Sequence, residues 1–377
     1  MPAHDDRSRA DRGDGADAQA PAGDSGPPRP RRSLPRRLAR LAGFGAAGLA
    51  GLVVLALVVT ATLDAVDRRR VPAPGELVEL ADGRELHLEV SGDDDADGSD
   101  GNRPTVVLEA GAGGTAATYA WLREALAEHT TVVAYDRAGY GFSDPAAGPP
   151  EAAAAVADLR EGLDAAGLEG PFVLVGHSLG AGYARVFAAT HPEEVAGLVL
   201  LDPVHEEQFE RLPPEERDAL EQAQEQLAVA PLLARLGVFR LADPQADVVA
   251  ALPDEAGAQH RARSVTAAGM GAYGAEMGAL LDLLDEVGST ATEPAFGGVP
   301  ARVVSAGEPG EGESPEGREV MDSLHAELAD RSPAARHVTV EGADHLGLVV
   351  DAAHTDAVAE VVMGLLEQVP APAPDAD

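Results

Sequence analysis

Ser178 stands between glycines in the pentapeptide GHSLG, Gly176 to Gly180, directly after the apolar run PFVLV. A serine hydroxyl is a weak nucleophile near neutral pH and needs a neighbouring base to take its proton. A tight turn between strand and helix lifts such a side chain off a sheet. It also aims the free N–H groups of the helix start at a reacting carbonyl. The N–H of Leu179 is therefore a candidate donor to an oxyanion. A second donor is expected from a loop after an earlier strand, and VVLEAGAGG supplies one. Gly111, Ala112, Gly113 and Gly114 carry no large side chains, so their amides can approach a ligand. Ala112 N–H is favoured there, with Gly113 N–H next.

The base should be a histidine on a loop late in the chain. GADHLGL places His345 right after the apolar run RHVTVEG, the one position among eleven histidines that follows a late strand and precedes a closing helix. His177 lies too close to the serine backbone to take its proton and reads as packing near the site. His205 and His325 fall in helical or lid segments and read as surface residues. A third member, an acid, must fix the imidazole tautomer and stabilise its charged form. Two places offer one. Asp202 ends the run VAGLVLLD, one strand past the serine, and is favoured. Glu308 and Glu311, in GEPGEGE after ARVVSAG, are the alternatives.

These residues need a scaffold that brings distant loops together. VVLEAG, TVVAYD, PFVLVG, VAGLVLLD, PARVVSAG and RHVTVEG are short β-rich apolar runs, mostly separated by helical stretches such as EAAAAVADLREGLDAAG and AELAD. That alternation predicts a parallel sheet covered on both faces. Such sheets bind ligands beyond the carboxyl ends of their strands, where the candidate residues fall. LVELADGRELHLEV, around Asp82-Gly83, predicts a hairpin ahead of them. GDDDADGSDGN, from Gly92, reads as a charged loop. Nearly a hundred residues separate LLD from ARVV, and HEEQFERLPPEERDALEQAQEQLAVAPLLARLG and EMGALLDLLDEVG within them read as helices. The expected organisation is a core over 75–202 and 300–368, a helical lid over 203–299, and a disordered tail over 369–377.

The chain has 377 residues, no cysteine and a formal net charge of −36. Disulfides and cysteine-ligated metals are excluded, and so acidic a surface disfavours nucleic acid. Paired metal-ligand spacing, a P-loop and a dinucleotide fingerprint are all missing, so neither metal nor cofactor is expected. Residues 1–40, rich in Pro, Gly, Asp and Arg, read as disordered. Residues 41–63, LAGFGAAGLAGLVVLALVVTATL, carry no charge. As a helix they would extend about 34 Å, enough to cross about 30 Å of hydrocarbon. A membrane anchor is the favoured reading, and a cleaved secretory signal competes with it. The arginine cluster before the run places the amino terminus in the cytoplasm and the rest outside.

The segments VVLEAGAGG, AYDRAGYGFSDP, FVLVGHSLGAGYARVFAATHPEEVAGLVLLDPVH and GADHLGL together resemble the α/β-hydrolase superfamily over about three quarters of the chain. The resemblance implies an eight-stranded, mostly parallel sheet with helices on both faces, a lid after the sixth strand, and hydrolysis through an acyl-enzyme. Two departures stand out. Glu109-Ala110-Gly111 replaces the His-Gly pair of many members. The usual Asp after the seventh strand is missing, though some relatives, haloalkane dehalogenases among them, place the acid where Asp202 stands. Their aspartate nucleophile is a serine here, which argues against dehalogenase or epoxide hydrolase chemistry. The expected reaction is cleavage of a small ester-like substrate by Ser178, His345 and Asp202. A peptidase, a lactonase, a thioesterase, a perhydrolase, or an idle membrane-tethered binding protein are the alternatives.

Overall fold

A computed structural model describes residues 36–92, 103–290 and 295–369. Eight strands form one sheet in the order β1-β2-β4-β3-β5-β6-β7-β8. They are β1 (Glu76–Glu79), β2 (Glu85–Ser91), β3 (Val106–Glu109), β4 (Val132–Asp136), β5 (Phe172–His177), β6 (Val195–Leu201), β7 (Ala301–Ala306) and β8 (Ala335–Val340). β1 and β2 form the expected hairpin, β2 pairs antiparallel with β4, and every later pairing is parallel.

The central strands are Val- and Leu-rich because both of their faces are covered. Side chains alternate along a strand, so each strand feeds two cores. Leu174, Leu198, Leu200 and Val303 join one cluster with Phe187. Val173, Val175, Val199 and Val304 join the other with Leu348 and Leu365. β3, β5, β6 and β8 all end at the same sheet edge, and the loops carrying Ala112, Ser178, Asp202 and His345 leave from there. A parallel sheet imposes that convergence.

The interval between β6 and β7 is helical, but more broken than the sequence reading. The stretch from His205 to Gly237 divides into Gln208–Arg211, Pro214–Leu227 and Ala230–Arg235. Pro213 and Pro214 interrupt it because proline cannot donate within a helix. EMGALLDLLDEVG straddles two helices, Ala267–Gly278 and Leu280–Thr290. The helix Asp254–Ser264 was not anticipated; its sequence, DEAGAQHRARS, has no apolar period to reveal it.

The amino-terminal helix spans Arg36–Arg70, longer than the apolar run 41–63. Residues 36–40 are therefore helical rather than disordered. Past Leu63 no Gly or Pro intervenes before Pro72, and arginines in the last turn complement the helix dipole. The stretch Ala42–Arg70 is long and apolar enough to cross a membrane. The chain divides into two compact units, Met1–Gly51 and Leu52–Asp377. At the other end Val369, expected in a disordered tail, is buried in the second core cluster. The remaining expectations of disorder, over 1–35 and 370–377, and the charged loop from residue 93 to 102 lie outside the described residues.

Candidate active site

Ser178 joins β5 to the helix Leu179–Thr190 with φ 54° and ψ −120°, a backbone state that costs a non-glycine residue about 1–3 kcal/mol. Its N–H donates to Leu201 O at 2.9 Å, and its carbonyl accepts from Ala181 and Val204 at 3.1 and 3.2 Å. The adjoining strand thus holds the turn. The flanking glycines are required by space. A Cβ on Gly180 would collide with the carbonyls of Glu109 and Ala110, and one on Gly176 would stand 2.6 Å from Ala181 Cα.

The loop after β3 passes directly over this turn. A Cβ on Gly111 would lie 2.9 Å from His177 Nδ1 and 3.2 Å from Ser178 Cβ. Gly113 N–H donates to Tyr140 OH at 3.4 Å and Gly114 N–H to Gly111 O at 3.1 Å. Ala112 N–H has no partner among the described residues. Leu179 N–H is the first of its helix and has no intrahelical acceptor.

His345 follows β8, and its Nδ1 lies 2.6 Å from Asp202 Oδ2. Asp202 caps the end of β6 with φ 42° and is only 4% exposed. Ala306 N–H donates to its Oδ1 at 3.1 Å, Arg318 Nη1 donates to its Oδ2 at 3.0 Å, and His325 Nδ1 stands 3.7 Å from Oδ1. Burial would raise its pKa. The hydrogen bond and charge of His345, with His325 and Arg318, outweigh burial and hold the carboxyl well below the usual carboxylate range. Glu308 and Glu311, the alternative acids, are exposed and their carboxylates bond to nothing among the described residues.

His177 stacks on His345 with ring centroids 4.5 Å apart, and its Nε2 donates to His345 O at 2.8 Å. A carbonyl only accepts, so the proton sits on Nε2. Burial, then repulsion from His345, lowers the His177 pKa to about 3, leaving it neutral. It holds the His345 loop rather than moving a proton. Among the described residues Ser178 and His345 are not joined by a hydrogen bond.

Two expectations are corrected. His205 and His325 are not surface residues; both are fully buried. His325 donates from Nε2 to Pro203 O at 2.9 Å and accepts from Ser305 at 2.8 Å, bracing the Asp202 turn. His205 Nδ1 lies 3.1 Å from Glu207 N and its Nε2 3.0 Å from Arg331 Nη2; a neutral imidazole accepts at only one of the two. Burial lowers each pKa to about 4, so both are neutral. One face of the helix Pro315–Asp330 packs under β7, and a contact of that kind leaves no mark in a local motif.

The sequence reading also missed a buried ionic cluster behind the loop after β3. The Arg137 guanidinium contacts Glu109 Oε1 at 2.8 Å and Glu276 Oε1 at 2.9 Å, and donates to Gly111 O at 3.0 Å and to Ala110 O. Tyr140 and Tyr183 donate to Glu276 at 2.6 and 3.2 Å, and Tyr135 donates to Glu109. Burial raises the Glu109 pKa, with Arg137 only partly offsetting it. Arg137 thus fastens two carbonyls of the candidate oxyanion loop to Glu276 on the helix Ala267–Gly278. Arg137 lies in the DRAGYG loop, a usable signal. Glu276 lies 139 residues away in sequence, and nothing local singles it out.

A cavity of about 300 Å³ adjoins this cluster, lined by Tyr140, Tyr183 and Glu276 together with alanines and prolines of 138–155. Ser178 and His345 do not line it, whereas Arg137 and Glu276 do. Among the described residues, His191, Glu193 and Glu194 lie close enough to share a cation, but Glu194 is already bonded to Arg160 at 2.8 Å.

Residues 106–361 match the alpha/beta hydrolase family. Among solved structures, the enol-lactonase from Burkholderia xenovorans LB400 superposes with a TM-score of 0.56 at 22% identity, covering 78% of this chain and 100% of that one. A thermophilic esterase from Thermogutta terrifontis gives 0.54 at 22% identity, covering 78% and 98%. These likenesses are of fold. An uncharacterized protein of Schizosaccharomyces pombe is 32% identical over 155 residues, 34% of this chain. The chain spans 28% of that relative's length, and 16% and 39% of two further curated relatives. With the family match running from β3 into the helix Ala352–Leu366, well over half of the sequence, the chain belongs to the alpha/beta hydrolase family.

Proposed function

We propose that this hydrolase cleaves carboxylic esters through an acyl-enzyme on Ser178. His345 takes the hydroxyl proton as Ser178 Oγ attacks the ester carbonyl. The N–H groups of Leu179 and Ala112 receive the negative charge that develops on the carbonyl oxygen. His345 then protonates the leaving alkoxide, the alcohol departs, and water deprotonated by the same imidazole releases the acid. Asp202 keeps the proton on Nδ1 and stabilises the imidazolium. The observation that carries the reading is the 2.6 Å contact between His345 Nδ1 and Asp202 Oδ2, beside a serine at positive φ whose flanking loop has an unpartnered amide.

A peptidase of the amine-binding kind needs a free acid near the pocket. Among the described residues Glu276 is the one buried acid of the helical insert, and Arg137, Tyr140 and Tyr183 already occupy it. That favours an ester without a charged amine. In the same reading 203–299 form a lid over a core of 75–202 and 300–368, and Arg36–Arg70 anchors the chain with the hydrolase outside. The test is labelling by a fluorophosphonate together with turnover of a series of acyl esters. Labelling and turnover should both vanish in Ser178→Ala. A wild-type chain that neither labels nor turns over any ester is an idle binding protein.

A further inference from the structure

The helical insert carries an exposed apolar edge at an unexpected height. The short helix Val238–Leu241 follows Gly237, whose φ is 77°. Leu241 is 92% exposed, and Val238 beside it is exposed as well; Val229 and Leu232 are exposed on and just before the preceding helix, Ala230–Arg235. Past the amino-terminal helix, the other exposed large apolar side chains among the described residues, Leu77, Val90, Leu281 and Leu346, stand apart along the sequence, and none is as bare as Leu241. Gly237 touches Thr60: a Cβ there would lie 2.7 Å from Thr60 Oγ1. Thr60 is 6% exposed, whereas Val58, Val59 and Leu63 around it are bare. Arg240 then pairs with Asp64 at 2.5 Å and Asp67 at 2.7 Å, the first acids after the uncharged run 41–63.

Thr60 lies three residues inside that run, about 5 Å along the helix axis. Its neighbour Gly237 therefore sits at the depth where hydrocarbon gives way to water. Contiguous bare apolar surface on a soluble domain marks a contact site. Here that surface is continuous with the apolar flank of the helix itself. The Arg240 pairs neutralise the two carboxylates that would otherwise be drawn against the lipid boundary, where charge is costly.

We propose that the insert docks on the bilayer, seating Val238 and Leu241 in the acyl boundary about 5–10 Å below the headgroups, as interfacial apolar faces do. The occupant of this edge is a lipid surface, and the hydrolase unit is held against the membrane by its insert as well as by its anchor. The proposal rests on reading Arg36–Arg70 as a membrane span. The small core behind the edge, Ala230, Ala234 and Met270 with Phe239 and Tyr273, leads inward to the candidate site. Tyr273 Cδ2 comes within 3.3 Å of a Cβ built on Gly113 of the oxyanion loop.

The chain has no cysteine, so a single introduced thiol gives one labelling position. The full chain is reconstituted in phosphatidylcholine vesicles with an environment-sensitive dye at Leu241→Cys, at Leu55→Cys inside the span, or at Glu193→Cys. Glu193 is exposed and precedes β6, at the opposite end of that strand from the insert. The dye at 241 should lose iodide quenching several-fold relative to 193 and be quenched by spin-labelled lipid, as the dye at 55 is. A dye at 55 in lipid with one at 241 as open to iodide as 193 overturns the docking while leaving the span. A dye at 241 shielded from iodide yet untouched by spin-labelled lipid means a protein partner covers the edge, and also overturns it. A dye at 55 open to iodide removes the span and the proposal together. Ser178-dependent turnover, measured on the same vesicles, is independent of all these outcomes.

Discussion

Two buried carboxylate clusters flank the loop of Ser178, and they handle charge in opposite ways. Around Asp202 one carboxylate meets two histidines and the Arg318 guanidinium, and its pKa is driven far down. Around Arg137 two carboxylates, Glu109 and Glu276, share one guanidinium, and the Glu109 pKa is pushed up. An excess of donors suits a group that must stay ionised to stabilise an imidazolium. An excess of acceptors around one cation suits a clamp, since the guanidinium fork can bond carboxylates and backbone carbonyls at once. The first cluster holds the His345 imidazole, while the second grips the backbone that in the proposed reading presents Ala112 N–H.

The largest expected effect lies outside both clusters. Ser178→Ala should lower kcat about a millionfold, the loss seen when one member of a cooperating triad is removed; ester turnover and phosphonate labelling measure it. Asp202→Asn should cost about 10⁴-fold in kcat with the fold intact, because the imidazole loses its tautomer control. A fall under tenfold would move the acid role elsewhere. For the clamp, Glu276→Ala should cost up to about 100-fold in kcat with KM nearly unchanged, the scale of a misplacement of about 1 Å. An equal rise in KM would make the cluster a substrate-binding element and erase the contrast.

Stability against pH separates the clusters by sign. The Asp202 pKa lies below its ordinary 3.8, so its contribution is present above that value and is lost as pH falls through the depressed one. The Glu109 pKa lies above its ordinary 4.5, so its contribution is full below 4.5 and is lost as pH rises through the raised value. Denaturant titrations should therefore show Glu109→Gln flattening a decline on the alkaline side of 4.5, and Asp202→Asn flattening one on the acid side of 3.8. The smallest effect is expected for Glu308→Gln, within about twofold in kcat, as for an exposed side chain without partners.

The sheet and Ser178's turn were legible because their signals are local. Apolar runs of five or six residues, and a serine spaced by glycines at a strand end, are read within one window. The ionic clamp was not legible, since Glu109, Arg137 and Glu276 come from a strand end, a loop and an insert helix. The burial of His205 and His325 was hidden for the same reason: each is buried by elements remote in sequence. The helix Asp254–Ser264 escaped because its period is polar.

By itself the sequence determined the parallel sheet, the turn that exposes Ser178 and the apolar helix before the hydrolase, all of which follow from hydrophobic period and backbone sterics over short stretches. Only the tertiary structure set Asp202 beside His345 while leaving the glutamates after β7 exposed, and only it brought Arg240 to Asp64. Hydrogen bonds and ion pairs act over a few ångströms of space, and chain separation of a hundred residues or more carries no trace of which groups will meet.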